Sequence, residues 1–446
     1  MYGGLVKELL DKKGLKIGDF AQIEFGNSKE IVKILPNSEF TEKDILVAKL
    51  ENGYNFGIAV DEINNIEKVQ YKEKSDDFTE PESPSIELGK NLPKVSIIYT
   101  GGTIGSKLDY RTGGVYMLLK PEELIANVPE LSSIAMVHPI HLFSVASEDM
   151  TYLEWQQIAR TVADEIKNGS RGVVITIGTD TMHYVASALS FMLKDLNAPV
   201  VLTGSQRSSD RGSSDAFMNL ICSVRIAAES DIAEVGICMH KSSSDDYCQF
   251  IRGTKARKMN TSRRDAFRPI NDLPIAHLGV KGEIYYDSDY NKIKNDKKEI
   301  DLADKFDEMV ALLKVYPNSD PDIINYYKAK GYNGIIIEGT GLGHTPVSGK
   351  PEKSYLKNIK EAIDSGMIIG MTSQCLYGRV NSKVYTNLRL LSNAGVIYCE
   401  DMTPETAYVK LGWLLGNYSK SEAKKLLDKN IVGEIKDRTL YDEFLI

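Results

Sequence analysis

From Lys94 onward the chain alternates short apolar runs with longer amphipathic ones, and this alternation restricts the fold more than any other feature. It begins in KVSIIYTGGTIGS, Lys94 to Ser106, where Val95, Ile97 and Ile98 read as a buried strand. Thr100-Gly101-Gly102-Thr103 reads as the turn leaving that strand. Paired glycines permit positive φ and close backbone approach, and they leave N–H groups beside the Thr103 hydroxyl. A hydroxyl with neighbouring backbone donors is what attack on a carbonyl needs. Taken alone, though, the stretch reads more simply as an ordinary β–α turn with a capping threonine.

The later segments continue the alternation. MVHPIHLFSV, RGVVITIG, APVVLTG and EVGICMH read as strands, and TMHYVASALSFML and SSDAFMNLICSVRIAA as helices. Pro121-Glu122-Glu123 starts a short helix, with proline at a favoured first position. Thr151-x-x-Glu154 is a capping box opening a helix with Trp155, Ile158, Ala159, Val162 and Ile166 at helical spacing, and Asn168-Gly169 closes it. Such a pattern predicts an α/β fold with a mainly parallel sheet covered on both faces. Residues 280–305 lose the pattern and carry a charge run. A smaller α/β unit follows, with strands in MVALLKVYP, NGIIIEGTG, MIIGMTS and GVIYCE and helices at DIINYYKAK, SYLKNIKEAIDSG and TPETAYVKLGWLL.

The stretch before Lys94 differs in kind. After a short amphipathic start, residues 15–70 hold several strand-like runs, with Asn52-Gly53 as a hairpin signal. They predict a small all-β barrel of SH3 or Tudor type, a binding module without a catalytic cluster. The following YKEKSDDFTEPESPSIELGKNL is acidic, polar and proline-bearing, which predicts a linker. The expected organisation is a barrel over 1–75, a linker over 76–92, an α/β domain over 93–285, a second linker over 286–305 and a second α/β domain over 306–446.

Totals exclude several classes. No apolar run reaches membrane-spanning length and the N-terminus lacks a signal-peptide core, so a cytoplasmic protein with no membrane partner is expected. The five cysteines have no C-x-x-C spacing and the six histidines no H-E-x-x-H pattern, so neither a disulfide framework nor a metal site is expected. A net charge of −8 argues against this chain being the main nucleic-acid surface. It matches neither G-x-x-x-x-G-K-[ST] nor the dinucleotide fingerprint, so no nucleotide cofactor is expected on it.

In parallel sheets ligands gather beyond the carboxyl ends of the strands. Three polar clusters fall there: the Thr103 turn, Gly178-Thr179-Asp180-Thr181, and Ala146-Ser147-Glu148-Asp149. The second reads structurally as a helix cap, and chemically as a hydroxyl beside a carboxylate that can hold an ammonium. The basic segment RGTKARKMNTSRRDAFR, Arg252 to Arg268, reads as a solvated loop, or as the source of a lysine for hydroxyl–lysine proton transfer.

TGGTIGS after a strand, SEDM, GTDTMHYVASAL and the K-x-N-T of RKMNT, in that order, resemble the L-asparaginase/glutaminase family over roughly residues 94–430. The resemblance implies two asparaginase-like α/β domains and amide hydrolysis with Thr103 as nucleophile. It implies Thr179, Asp180 and Lys258 as the second catalytic group, Lys258 preferred over Lys255 because Lys-Met-Asn-Thr fits the motif. Ser147 would hold the substrate α-carboxylate and Asp180 its α-amino group. Glu148 stands where asparaginases commonly have glutamine. Tyr116, or alternatively Tyr110, would be the tyrosine of the family's mobile loop, and Gly341-x-Gly343-His344 lies where a second subunit contributes.

The added N-terminal module is similar to that of archaeal tRNA-dependent amidotransferases. That likeness implies glutamine as substrate and a GatE-like partner that binds ATP and Mg and amidates Glu-tRNA(Gln), with tRNA bound mainly through the partner. It also implies a homodimer within a heterotetramer. The alternative is a stand-alone asparaginase.

Overall fold

A computed structural model describes residues 2, 4–26, 28–35, 44–50, 55–69, 92–102, 104, 106–108, 115–117, 128–208, 213–294 and 299–444. Residues 76–91 of the expected acidic linker, the Asn52-Gly53 turn and the helix expected from Pro121 lie outside the described residues.

The N-terminal unit pairs helix α1 (Gly4–Lys13) with five strands: β1 (Phe20–Phe25), β2 (Ser28–Ile34), β3 (Ile45–Leu50), β4 (Asn55–Ala59) and β5 (Ile63–Lys68). Their order is β4-β3-β2-β1-β5, every pair antiparallel. Alternate residues face inward, as a two-residue side-chain period requires. Ala21, Ile23, Val32, Ile34, Leu46, Ala48, Ile58 and Ile66 meet Val6 and Leu10 of α1 in one small core.

The first α/β unit is built on β6 (Lys94–Tyr99), followed by the short antiparallel pair β7 (Ser106–Leu108) and β8 (Val115–Met117). Next come β9 (Met136–His141), β10 (Gly172–Thr176), β11 (Leu193–Lys194), β12 (Val200–Thr203) and β13 (Val235–His240). In the order β9-β6-β10-β12-β13 the strands run parallel. Each residue of β10, β12 and β13 is buried, as in a sheet covered on both faces. Val173, Ile175, Val200 and Leu202 face helices α2 (Tyr152–Lys167) and α3 (Met182–Met192), while Val174 and Val201 face α4 (Ala216–Glu229). The Thr151–Glu154 capping box forms as its spacing predicts.

Beyond β13 the sheet continues antiparallel through β14 (Cys248–Arg252), β17 (Ala276–Leu278) and β18 (Tyr285–Tyr286). Between β14 and β17 the basic segment forms a hairpin, β15 (Ala256–Lys258) with β16 (Phe267–Pro269), rather than a solvated loop. The stretch expected as a second linker makes sheet contacts, with β19 (Asp301–Leu302) pairing with β11.

The second unit has four parallel strands in sequence order: β20 (Val310–Lys314), β21 (Gly334–Gly339), β22 (Ile368–Ser373) and β23 (Ile397–Tyr398). Its helices are α5 (Asp322–Ala329), α6 (Leu356–Asp364), α7 (Thr386–Asn393), α8 (Pro404–Asn417) and α9 (Lys420–Leu426). Among the described residues no helix is long and apolar enough to cross a membrane.

Candidate active site

Register brings the three polar clusters together. His141 lies opposite Tyr99, Tyr99 opposite Thr176, and Thr176 opposite Thr203, so β9, β6, β10 and β12 end level. The buried Thr100 fastens the first turn to the second, its N–H and hydroxyl both donating to the Thr176 carbonyl at 3.1 and 2.9 Å. Gly101 and Gly102 have φ of 117° and 89°, the left-handed region that glycine occupies at no steric cost. A Cβ on Gly102 would stand 2.5 Å from the Gly178 nitrogen, so the two turns touch backbone to backbone. Thr103 follows directly and lies outside the described residues, as does Tyr110; Ile104 beyond Thr103 is fully buried. Tyr116 lies on β8 opposite Lys107, with its side chain outside the described residues.

The second turn carries the polar contacts. Lys258 reaches it from β15, and its Nζ donates to Thr179 Oγ1 at 2.9 Å and to Asp180 Oδ1 at 2.6 Å. The lysine side chain is 10% exposed and that of Asp180 65%, so the ion pair spans the edge between core and solvent. Lys255, the alternative, lies elsewhere: its fully buried Nζ meets Asp401 Oδ2 at 2.7 Å. The buried Ser147 packs on the same turn, its carbonyl accepting from Thr181 Oγ1 at 2.6 Å. An added Cβ on Gly178 would fall 2.9 Å from Ser147 Oγ. Glu148 is exposed beside it, with its carboxylate 3.5 Å from that hydroxyl. The structure thus gathers Thr179, Asp180, Lys258, Ser147 and Glu148 around the end of β10. His344, of the Gly341–His344 loop, sits at the end of β21, bridged to Thr340.

Two neighbours escape sequence reasoning. His183 occupies the first turn of α3 with its ring buried and Nδ1 unpartnered among the described residues. Burial, helped by the nearby positive charges of Arg257 and Lys258, drives its pKa down to about 3, so the ring is neutral near pH 7. Within an apolar helix such a histidine carries no pattern that marks it. The turn after β12, Gly204 to Arg207, also adjoins the site, since a Cβ on Gly204 would stand 3.1 Å from Thr179 Cγ2. Buried Asp215 holds that turn by accepting from the N–H groups of Gln206 and Arg207 at 3.0–3.1 Å. Among the described residues no group of three or more His, Cys, Asp or Glu could hold a metal ion.

Chemically, a threonine hydroxyl receiving a hydrogen bond from a lysine ammonium is stabilised as it gains negative charge, and a neutral amine at the same place accepts its proton. The carboxylate of Asp180 faces solvent, where a substrate ammonium can reach it.

This fold, with a glycine-paired turn laid against a threonine–aspartate–lysine cluster, is that of an asparaginase-type α/β protein. Family models agree: one for the asparaginase N-terminal domain matches residues 94–291, and one for the glutaminase/asparaginase C-terminal domain matches 309–427. Among solved structures, an L-asparaginase from Thermococcus kodakarensis is similar, with TM-score 0.68, 30% identity, and coverage of 77% of this chain and 100% of that one. L-asparaginase I from Vibrio cholerae gives 0.68 and 31%, covering 78% and 100%.

The N-terminal unit narrows the family, because residues 15–69 match the model of the GatD N-terminal domain. The GatD subunit of a glutamyl-tRNA(Gln) amidotransferase from Pyrococcus furiosus is 50% identical across 99% of this chain and 100% of its own length. Those from Thermococcus kodakarensis and Methanothermobacter thermautotrophicus are 47% and 44% identical, each alignment covering at least 98% of both chains. The chain belongs to the GatD family of glutamyl-tRNA(Gln) amidotransferase subunits.

Proposed function

We propose that this chain is the glutaminase subunit of a tRNA-dependent amidotransferase. It hydrolyses glutamine and supplies ammonia to a GatE-like partner, which uses ATP and Mg to convert Glu-tRNA(Gln) to Gln-tRNA(Gln) in the cytoplasm. The chain itself binds no cofactor in this reading, acts as a homodimer within a heterotetramer, and leaves tRNA mainly to the partner. The observation that carries the proposal is the Lys258 Nζ bridge to Thr179 and Asp180 beside the Gly101-Gly102 turn. The N-terminal unit shared with the GatD relatives favours the amidotransferase over a stand-alone asparaginase.

Thr103 Oγ attacks the carboxamide carbon of glutamine, giving up its proton as the C–O bond forms. The tetrahedral intermediate collapses, the C–N bond breaks, and the amide nitrogen leaves as ammonia after taking up the proton that Thr103 released. Water, oriented by Thr179 and Lys258, then cleaves the glutamyl ester, regenerating the Thr103 hydroxyl and releasing glutamate. Ser147 holds the α-carboxylate, Asp180 the α-ammonium with Glu148 beside it, and Tyr116 closes the loop over the site.

The test is glutamine hydrolysis by the full chain with and without its partner and charged tRNA. Thr103→Val lowers hydrolysis by about a thousandfold or more while amidation with added ammonium persists. Rapid asparagine hydrolysis by the chain alone, with no gain in glutaminase activity from a partner, would sink the proposal.

A further inference from the structure

Lys258 reaches the site from a weak support. The β15–β16 ladder has three residue pairs and forms a separate two-stranded sheet. A hairpin of that size is marginal by itself and needs anchoring. The first α/β unit holds β16, with Gln249 Nε2 donating to the Phe267 carbonyl at 3.0 Å and Arg268 Nη1 to the Lys241 carbonyl at 2.8 Å. The strand that bears the lysine is held from the other side.

Successive side chains of an extended strand point to opposite faces. Lys258 faces the first unit, at Thr179 and Asp180, while Ala256 is buried in the core cluster that both units share. Lys255 and Arg257 face the second unit. Lys255 Nζ meets Asp401 Oδ2 at 2.7 Å with both side chains fully buried, and the ladder reaches it through Ile270 N–H to the Lys255 carbonyl at 2.8 Å. Arg257 Nη2 meets Glu405 Oε1 at 2.7 Å, with the carboxylate side chain 7% exposed. Both acids flank the start of α8. Asp401 is itself fixed by Lys436 N–H at 3.2 Å, and Thr406 Oγ1 of α8 donates to the Thr254 carbonyl at 3.0 Å.

We propose that the second α/β unit positions the Lys258 ammonium through the ion pairs Lys255–Asp401 and Arg257–Glu405, making Asp401 and Glu405 positioning residues for amide hydrolysis. The proposal rests on the reading of Lys258 given above. The Lys255–Asp401 pair is buried and hydrogen-bonded and so fixes direction as well as distance, the Arg257–Glu405 ion pair adds a second tether, and displacement of a reacting group by about 1 Å costs up to about a hundredfold in rate. Because two alternate residues are pinned, the strand can neither slide nor rotate about its axis. The Lys258 side chain, next along the chain from Arg257, then follows.

The experiment is a double-mutant cycle on the full chain, assayed with its partner for glutamine hydrolysis well below the melting temperature. Arg257→Gln and Glu405→Gln each lower kcat about tenfold with KM within about twofold, and the double variant is no slower than the slower single one. Wild-type kcat in all three, or single effects that multiply in the double variant, would overturn the pairing. For the buried pair, Asp401→Asn alone risks an unfolded chain, so Lys255→Met/Asp401→Leu replaces both charges with apolar groups of similar size. This variant keeps its melting temperature within a few degrees and loses kcat about tenfold, whereas a purely structural pair would move melting and leave kcat unchanged. Lys258→Met is the separate control: wild-type kcat there would remove the reading of Lys258 itself, whatever the cycle shows.

Discussion

His183 shows how one buried side chain ties the site to pH. It follows Thr179 and Asp180 closely, in the first turn of α3, and burial beside Arg257 and Lys258 holds its ring neutral down to about pH 3. The unfolded chain releases the ring to water, where it binds a proton below about pH 6.5. Between those limits the unfolded state carries the extra proton, so stability is complete above about pH 6.5 and falls as the pH drops toward 3, by up to about 1.4 kcal/mol per pH unit. We expect His183→Gln to remove about 2 kcal/mol of the stability difference between pH 7 and pH 5. Urea unfolding at the two pH values measures this, and an unchanged difference would mean that His183 is protonated in the folded chain. Nothing in the order of residues announces the effect, since the histidine sits in MHYVASALSFM and reads as one more core position. Lys258 is the opposite case. Its motif, K-x-N-T, stands in the sequence, and the ammonium lies 2.9 Å from Thr179 Oγ1 in the fold.

Turns are the elements that decide the site, and two glycines in them do different work. Gly102 has φ of 89° and would drive a Cβ into the Ile177–Gly178 backbone at 2.5–2.8 Å. Neither backbone can yield without moving a central strand, so Gly102→Ala costs about 2–5 kcal/mol, read as a lowered urea midpoint. A Cβ on Gly178 would instead meet the Ser147 side chain at 2.8–2.9 Å. Gly178→Ala therefore pushes on the proposed carboxylate-binding serine, and we expect KM for glutamine to rise about tenfold with a smaller change in kcat. A change in kcat alone would place Ser147 away from substrate. Strands and turns of the parallel sheet were legible because fully buried strands need continuous β-branched runs, and level strand ends need glycine where turns touch. The β15–β16 hairpin was not, because RGTKARKMNTSRRDAFR is dense in charge and looks solvated. Its charges are met by carboxylates that include Asp180, Asp265, Asp401 and Glu405, of which Asp180, Asp401 and Glu405 lie far away in the sequence. Helix α7 and the antiparallel β14, β17 and β18 escaped for a related reason: they are short, and long-range pairing rather than local pattern fixes them.

At the scale of the whole molecule, the arrangement of cores predicts how it comes apart. Ile98, Ile175 and Leu202 of the first sheet share one cluster with Val310, Ile336 and Ile368 of the second. Trp413 of α8 lies in that cluster, fully buried, stacked on Phe191 of α3 at 5.3 Å and donating through Nε1 to the Ala303 carbonyl at 2.8 Å. A shared core couples the two sheets, since opening either exposes apolar surface of the other. The N-terminal unit has a separate core, and among the described residues none of its members belongs to the other clusters. Its buried Tyr2 is satisfied within the unit, donating to the Leu35 carbonyl at 2.6 Å and accepting from the Val47 N–H at 2.8 Å. Calorimetry should therefore resolve two transitions, a small one for the N-terminal unit and a large one for the joined α/β units. Trp413→Ala, which removes about 3–5 kcal/mol of packing, should lower the large transition and leave the small one in place. If the wild-type large transition itself resolved into two, the sheets would unfold independently and the shared core would not couple them. A single transition that includes the N-terminal unit would instead mean that the separate cores are coupled.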